Sequence, residues 1–361
     1  MEPQKFTYVK SDGRSWIQYH REGQPKPVLK DEGLVRPQDW QAPELRYNAM
    51  RDEYVAISAS RNNRPFLPPA EYCPLCPVDD YCLDAQGVPC KTDAPIMSQT
   101  YEWAVFENMF PGLSARGETG HCEVILYSPD HKQTLGGCSL EHIEGLISVW
   151  QDRSREVGAM PHIKQVFIFE NKGTEVGVTL HHPHGQLYAF HEAPPFLARE
   201  MAAAQKFFEQ EHRCLICSLA EKAAEGPRLV ARTEDVIAFV PEAARYPYEV
   251  HITTLRHRPL IEQLTPAERK QLAQVLKTVI AKYNQVLQME FPYIMVHHQC
   301  TAGAEDTPSY HWHIEFYPPY RAPGKLKYLA GVESGTGFFI NDTIPEVKAA
   351  ELRNLPPFLG T

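Results

Sequence analysis

The feature that most constrains the fold is a set of cysteine and histidine motifs that occurs twice in the same order. Each half of the chain runs Cys-x-x-Cys, a strand-like segment ending in histidine, an amphipathic helical segment, a second strand-like segment, and His-x-His. The positions are Cys73, Cys76, His131 and 182–184 in the first half, and Cys214, Cys217, His257 and 311–313 in the second. A repeated order of this kind predicts a duplicated unit.

The segments between the motifs predict both helices and strands. CEVILY, VFIFE, YEVHITT and YIMVHH are apolar or alternating runs typical of strands, and Thr265, Pro266 and Glu268 form the capping-box start of a helix. We therefore expect an α+β fold with antiparallel sheets flanked by helices, divided into halves at residues 1–205 and 206–361. The first fifty residues are polar and contain prolines, and neither a firm structure nor a function is predicted for them. The last twenty likewise suggest no function.

The two Cys-x-x-Cys pairs predict metal sites. Two thiolates at this spacing can bind one tetrahedral ion, and the repeated order offers two histidines to complete each set. We expect two closed, structural zinc sites, Cys73–Cys76–His131–His182 and Cys214–Cys217–His257–His311. The alternatives are ordinary buried thiols with surface histidines, or a redox pair. The redox reading is disfavoured because neither motif lies in a thioredoxin-like βαβ segment.

Charge and composition narrow the function classes. The net charge is −9 and the sequence pI is about 6.0, so no overall positive field favours nucleic acid or an anionic membrane. Any phosphate-binding site must therefore be local. The N-terminal residues lack the apolar core of a signal peptide, and no apolar run approaches the ~18 residues of a membrane span. We expect a cytoplasmic protein with reduced thiols.

The segment His184-Gly185-Gln186 suggests phosphoryl chemistry. With His182 assigned to zinc, His184 would lie beside a rigid, metal-anchored neighbour, and Gly185 would let a ligand approach the backbone. A neutral imidazole can attack phosphorus and later leave it. The amide of Gln186 can donate a hydrogen bond to a phosphoryl oxygen, but it cannot protonate a leaving group. This favours transfer to an acceptor over hydrolysis.

These motifs resemble a known family. HPHGQ after FENKG and GVTL, with SPDH upstream, is similar to the galactose-1-phosphate uridylyltransferases of the histidine-triad superfamily, from about Arg61 to Glu333. The resemblance implies a duplicated histidine-triad unit, a homodimer, and ping-pong transfer of UMP between UDP-glucose or UDP-galactose and hexose 1-phosphates. It makes His184 the nucleophile and Gln186 the phosphoryl-binding residue. The substrate-binding residues that it implies are Arg61, Arg64, Phe106, Asn108, Phe110, Asn171, Gly177, Thr179, Lys327 and Glu333.

The chain departs from the family at a second metal site. Some members carry an iron-type site of one glutamate and three histidines, whose counterparts here resemble Glu200, His298 and His313, with Glu315 in place of the last histidine. Those members lack a second Cys-x-x-Cys. Since Cys214 and Cys217 are present, this chain is more similar to the two-zinc arrangement of plant ADP-glucose phosphorylase. We therefore expect zinc rather than iron as the second metal.

The second His-x-His motif is expected to be catalytically silent. It lacks a following Gly-Gln, and Trp312 and Ile314 are expected to crowd the strand where a phosphate would approach.

Three other functions stay open. A nucleotidyl transferase or phosphorylase acting on ADP-glucose would use the same nucleophile with a different base pocket. A histidine-triad hydrolase is disfavoured because Gln186 replaces the third histidine. A non-enzymatic zinc module would leave His184 and Gln186 without a role, and turnover of a nucleotide sugar would exclude it.

Overall fold

The computed structural model describes residues 2–23, 40–63, 66–68, 73–77 and 101–356. The strands are β1 (Gln4–Val9), β2 (Ser15–His20), β3 (Glu44–Asn48), β4 (Glu53–Ile57), β5 (Trp103–Glu107), β6 (His121–Leu126), β7 (Gln165–Lys172), β8 (His184–Phe190), β9 (Leu229–Arg232), β10 (Val236–Phe239), β11 (Val250–Thr254), β12 (Tyr293–His298), β13 (His313–Tyr317), β14 (Tyr320–Ala322) and β15 (Lys325–Leu326). The helices are α1 (Leu140–Gly158), α2 (Pro195–Glu211), α3 (Leu215–Ala224), α4 (Pro266–Val286), α5 (Gly331–Thr336) and α6 (Pro345–Asn354).

Both halves of the chain contribute to one eleven-stranded antiparallel sheet. Its order is β1-β2-β5-β6-β8-β7-β12-β13-β11-β10-β9. The first half supplies β5-β6-β8-β7, and the second half, read from its far end, supplies β10-β11-β13-β12. The two units therefore have the same connectivity, and they meet where β7 pairs with β12. This arrangement confirms the predicted α+β class and its internal repeat.

The crossover helices cover one face of the sheet. α1 connects β6 to β7, α4 connects β11 to β12, and the two helices pack against each other. Their starts follow the sequence signals, since Ser139 caps α1 and Thr265 forms a capping box with Glu268 at the start of α4. Alternate strand residues, among them Leu187 and Ile314, pack beneath these helices in the main core. The neighbouring positions point to the opposite face, which carries the motif histidines.

The N-terminal residues form more structure than the sequence analysis predicts. β1 and β2 make a hairpin, and β2 pairs with β5 at the edge of the sheet. The turn contains Gly13 at φ +83°, a left-handed conformation that glycine adopts without strain. A second hairpin, β3–β4, forms a separate two-stranded sheet. Helix α6 lies within the last twenty residues.

Within the described ranges, the helices are all too short or too polar to cross a bilayer.

Candidate functional site

The first set of expected metal ligands comes together in space. Potential ligand atoms of Cys73, Cys76, His131 and His182 all lie within 4.8 Å of one another. The Cys76 Sγ is 3.4 Å from the His131 Nδ1 and 3.5 Å from the His182 Nδ1. Tetrahedral zinc with ordinary Zn–S and Zn–N distances requires a sulfur–nitrogen separation of about 3.6 Å. The donor set and its spacing therefore fit zinc.

Outer partners hold the ring of His182 in place. Its Nε2 lies 2.8 Å from the Ser128 carbonyl oxygen and 3.0 Å from the Tyr101 hydroxyl, while its Nδ1 faces the thiolates. A hydrogen bond from Nε2–H to the carbonyl leaves the Nδ1 lone pair available to a metal ion. Tyr101 is buried and also contacts the Leu75 carbonyl in the Cys-x-x-Cys loop. The ligand geometry is thus preorganised by the protein.

The second set repeats this geometry. The Cys217 Sγ is 3.3 Å from the His257 Nδ1 and 3.2 Å from the His311 Nδ1, and Cys214 completes the group. The distal nitrogens again have oxygen partners, because the His257 Nε2 lies 2.9 Å from the Thr307 carbonyl oxygen. The hydrogen bond between the two thiols lowers the pKa of Cys214 and raises the pKa of Cys217, so the two sulfur atoms share one proton in the absence of a metal.

His184 is the first residue of β8 and directly follows the segment that carries the candidate metal ligand His182. His182 itself precedes the strand, so the expected strand geometry begins only at His184. The His184 Nδ1 lies 2.7 Å from the His182 carbonyl oxygen. A hydrogen bond from Nδ1–H to this carbonyl puts the lone pair on Nε2. Burial lowers the pKa of His184, so its surroundings favour the neutral, nucleophilic ring.

Two cavities share His184. The first is lined by the His184 and Gln186 side chains and by the aromatic and polar residues expected to contact substrate, namely Phe106, Asn108, Phe110 and Thr179. The second contains Asn171 and the loop that follows β7. Gln186 lies opposite Val124 in the sheet, and Val124 lies opposite Phe106, so these side chains form one row on the open face.

Gly185 permits a close backbone contact beneath the row. A Cβ at this position would overlap the buried Tyr127 hydroxyl and approach the Phe169 carbonyl oxygen. The glycine therefore serves internal packing under β8, in addition to any access that it gives a ligand.

The other expected substrate-binding residues lie in three places. The Arg61 guanidinium is 3.0 Å from the Tyr188 hydroxyl and 3.2 Å from the Phe110 carbonyl oxygen, which brings it to the side of the first cavity. Arg64 lies outside the described residues. Gly177 ends the short 3-10 turn after β7 at φ +82°. Lys327 and Glu333 form a 3.0 Å ion pair. Neither belongs to the lining of the two cavities that contain His184.

The contribution of the first hairpin to the site was not predicted from the sequence. Lys10, Arg14, Ser15 and Trp16 all line the first cavity beside the expected residues. The available signal was the Asp12-Gly13 turn between the alternating segments FTYV and SWIQYH, a pattern typical of hairpins.

A third cluster occupies the equivalent face of the second half. Glu200, His298, His313 and Glu315 have potential ligand atoms within 4.8 Å of one another. From the sequence, this set and the second cysteine set were alternatives for the second metal, but the structure contains both groups. The four side chains also pair with one another, since the His298 Nδ1 is 2.7 Å and the His313 Nε2 3.1 Å from Glu200. These carboxylates raise the pKa of His313 against the opposing effect of burial.

One of the two expected reasons for a silent second half, crowding by Trp312 and Ile314, was wrong, while the absence of a following Gly-Gln stands. Trp312 and Ile314 do not crowd the open face, because strand alternation turns them into the core beneath the helices. The open face carries His313 and Glu315 instead. The His313 Nδ1 lies 3.0 Å from the His311 carbonyl oxygen, as in the corresponding His184–His182 pair, but the His313 Nε2 faces carboxylates. The ring that corresponds to His184 is therefore paired with carboxylates in the second half.

Comparisons with known proteins agree with this architecture. Sequence models described as "Galactose-1-phosphate uridyl transferase, N-terminal domain" and "C-terminal domain" match residues 33–194 and 200–358. The galactose-1-phosphate uridylyltransferase of Thermotoga maritima is 39% identical over 326 residues, covering 86% of this chain and 98% of that protein. The Haemophilus influenzae protein of the same name is 31% identical over 342 residues, covering 87% and 94%.

Solved structures give the same picture. A uridylyltransferase mutant superposes with a TM-score of 0.75 at 31% identity, covering 86% of this chain and 96% of that chain. An ADP-glucose phosphorylase from Arabidopsis thaliana superposes with a TM-score of 0.67 at 23% identity, covering 87% and 100%, and this likeness shows a shared fold.

Proposed function

The chain belongs to the galactose-1-phosphate uridylyltransferase family, and we propose that His184 is the residue that carries the uridylyl group. The enzyme is a nucleotidyltransferase that transfers UMP between UDP-glucose and galactose 1-phosphate. The observation that carries the proposal for His184 is its 2.7 Å contact between Nδ1 and the His182 carbonyl oxygen, which leaves Nε2 as the nucleophilic atom beside Gln186.

In the first half-reaction, His184 Nε2 attacks the α-phosphorus of UDP-glucose. The Nε2–P bond forms, the bond from that phosphorus to the bridging oxygen breaks, and glucose 1-phosphate leaves with the bond's electron pair. The Nδ1–H donated to the His182 carbonyl stabilises the positive charge that develops on the ring. In the second half-reaction a phosphate oxygen of galactose 1-phosphate attacks the same phosphorus and His184 leaves.

Gln186 binds the phosphoryl group during both steps. It lies on the same strand face as His184, two residues on, and both side chains line the first cavity. Its amide N–H can donate to a non-bridging oxygen as negative charge develops there. Because an amide does not titrate near neutral pH, it does not activate water, and the uridylyl group persists until the sugar phosphate arrives.

The aromatic end of the first cavity binds the uridine. Phe106 and Phe110 offer apolar contact area, and Asn108 offers both donor and acceptor groups. Arg61, held against the Phe110 carbonyl oxygen, supplies a local positive charge for the diphosphate in a chain that is acidic overall. Arg64, Asn171, Gly177 and Thr179 are proposed for the same substrate by the family resemblance. Lys327 and Glu333 are proposed for the sugar phosphate.

Zinc is the proposed metal at both cysteine sets. Bound there, it would fix the position of His182 and, by chain connection, that of His184. Four protein ligands at each set suit a structural ion without an open position. The support is the donor chemistry together with the oxygen partners on the distal imidazole nitrogens.

We also propose a homodimer located in the cytoplasm. The β3–β4 hairpin exposes large apolar side chains, including Met50 (96% exposed), Tyr54 (62%) and Tyr47 (55%), on an isolated two-stranded sheet. Such a hairpin is marginal alone, and a second copy would cover it. The thiolate sets suit a reducing compartment. In sedimentation equilibrium Tyr54→Lys should shift the protein toward monomer. Val9→Lys, at an equally exposed apolar position, should not.

The experiment for the nucleophile is intact-mass measurement after incubation with UDP-glucose alone. The wild type should gain the mass of one uridylyl group, and His184→Ala should gain none. His181→Ala removes an exposed neighbouring imidazole and should still form the adduct, so it is the matched control. An adduct on His184→Ala would refute the assignment. An adduct that forms with ADP-glucose in preference to UDP-glucose would favour the alternative phosphorylase-type function.

A further inference from the structure

We propose that Tyr188 is a positioning residue for the transfer reaction, which holds the Arg61 guanidinium in the orientation that binds the diphosphate of the nucleotide sugar. This inference rests on the proposed role of Arg61 and names the residue that orients it. The sequence motifs assign no role to Tyr188, although it lies in the same segment as His184 and Gln186.

One strand carries the nucleophile, the phosphoryl-binding amide and Tyr188. The side chains of His184, Gln186 and Tyr188 alternate along the open face of β8, and all three are half-buried, whereas Gly185 and Leu187 between them are buried. Four residues separate His184 from Tyr188, so their backbones lie about 13 Å apart. A group that Tyr188 holds is therefore placed relative to the nucleophile by a single regular element.

The Tyr188 hydroxyl contacts the Arg61 guanidinium directly. The Arg61 Nη1 lies 3.0 Å from the Tyr188 hydroxyl oxygen and 3.2 Å from the Phe110 carbonyl oxygen, and both oxygens accept its N–H groups. Burial raises the pKa of Tyr188, so the hydroxyl is neutral at physiological pH. Two acceptors on one nitrogen fix the plane of the guanidinium, and with it the direction of the edge that carries Nε and Nη2.

The turn that carries Arg61 lies outside the main sheet and is joined to it by such contacts. It is the short 3-10 turn Ala59–Asn63, which follows the separate β3–β4 hairpin. Just before this turn, the Ser58 hydroxyl donates to the Pro111 carbonyl oxygen at 2.9 Å. A long arginine side chain loses rotamer entropy when it binds a substrate. Bonds that order the side chain before the substrate arrives reduce that cost.

The loop that receives Arg61 leaves space for this pair. A Cβ at Gly112 would lie 3.1 Å from the Tyr188 hydroxyl and 3.5 Å from the Arg61 Nη1. The loop is also bonded to β6, because the Leu113 N–H donates to the Cys122 sulfur at 3.3 Å. Cys122 lies opposite Tyr188 in the sheet. The two neighbouring strands β6 and β8 therefore hold both acceptors of the guanidinium.

The test is a double-mutant cycle of Tyr188→Phe and Arg61→Met, read out as the Kd for UDP by calorimetry and as kcat/KM for UDP-glucose. Tyr188→Phe removes the hydroxyl and keeps the ring, whose centroid lies 5.3 Å from that of Phe169 in an edge contact. It should weaken UDP binding and lower kcat/KM by about 10-fold each, the loss of one hydrogen bond to a charged group. In the Arg61→Met background the same substitution should change either value by less than about 2-fold, because no guanidinium remains to be oriented.

Tyr283→Phe is the matched control. It also removes a buried tyrosine hydroxyl, which donates to the Tyr248 carbonyl oxygen at 2.7 Å in the core of the second half. This variant should unfold at a lower temperature, and it should leave the Kd for UDP and kcat/KM for UDP-glucose unchanged.

The cycle separates the possible outcomes. If Tyr188→Phe weakens UDP binding equally with and without Arg61, Tyr188 acts through packing and the inference is wrong. The inference is also wrong if Tyr188→Phe leaves both values unchanged. An effect that disappears in the Arg61→Met background supports it. UDP binding needs no covalent step, so a wild type that shows this coupling but forms no uridylyl adduct would contradict the proposed function alone. A wild type that does not bind UDP would contradict both.

Discussion

The sharpest structural prediction concerns Gly185, which lies between the proposed nucleophile and the phosphoryl-binding glutamine. In Gly185→Ala, the new methyl group would overlap the Tyr127 hydroxyl and lie 2.9 Å from the ring atom Cζ and 3.1 Å from the Phe169 carbonyl oxygen. The first two contacts are with a fully buried side chain, and the third is with the neighbouring strand β7. None of these groups can move without shifting the sheet beneath the site.

The expected magnitude follows from the packing. Overfilling a close-packed site costs about 1–3 kcal/mol, and the overlap at Gly185 argues for about 3 kcal/mol of lost unfolding free energy. Removal of the Tyr127 hydroxyl should cost little by itself, because among the described residues only the Trp150 side chain is close enough to donate to it, and no well-formed hydrogen bond results. Tyr127→Phe should therefore relieve the worst overlap. The double variant should recover about 1–2 kcal/mol, and the remaining ring and carbonyl contacts keep the recovery partial.

The assay is a double-mutant cycle by equilibrium urea unfolding, with kcat/KM for UDP-glucose measured on the same proteins. A displacement of His184 by about 1 Å should lower kcat/KM by about 100-fold in Gly185→Ala, and Tyr127→Phe should restore part of it. Gly335→Ala, at an exposed position of α5 with open space around it, is the matched control. Additive free energies in the cycle, or a Gly185→Ala protein as stable as this control, would refute the reasoning.

Three further predictions concern charge and metal. Burial raises the pKa of Glu170 to about 7, above the ordinary 4.5, so the stability contributed by its protonated form is lost as the pH rises from 4.5 to 7. In urea unfolding, Glu170→Gln should therefore gain up to about 3 kcal/mol of unfolding free energy relative to the wild type across this pH range. A difference that stays constant with pH would contradict this prediction. Cys76→Ser should lower the zinc content, measured by elemental analysis, by one equivalent per chain and leave the second set filled. Loss of both equivalents, or of neither, would contradict the expectation that the two sites bind zinc independently. His313→Asn should still form the uridylyl adduct, and absence of the adduct would contradict a silent second half. Thermal unfolding of this variant should show about 3 kcal/mol less unfolding free energy, because Glu200 and Glu315 lose a buried partner.

Much of the site was predictable because its motifs are local and repeated. The Cys-x-x-Cys spacing predicted one pair of candidate ligands in each set, and the order of elements predicted the histidines that lie beside them. His184 and Gln186 were assigned from their spacing along a strand, and the structure does line one cavity with both. The start of α4 at Thr265 followed from its capping box alone.

The remaining features depend on contacts between distant parts of the chain. The orientation of Trp312 could not be read from its neighbours, because only the sheet register determines which face points to the core. The carboxylate cluster around His313 draws Glu200 from α2 to strands more than ninety residues later. The first hairpin was missed for a different reason. Its Asp-Gly turn was a usable signal, but the polar, proline-containing composition around it was given more weight.

The most direct measurement is the site of nucleotidylation. The wild type would be incubated with UDP-glucose, digested under alkaline conditions that preserve a phosphorus–nitrogen bond, and its peptides sequenced by tandem mass spectrometry. We predict a single uridylyl group on the imidazole of His184, discharged when galactose 1-phosphate is added before digestion. A group found on His181, His182 or His313, or one that galactose 1-phosphate fails to remove, would contradict the mechanism.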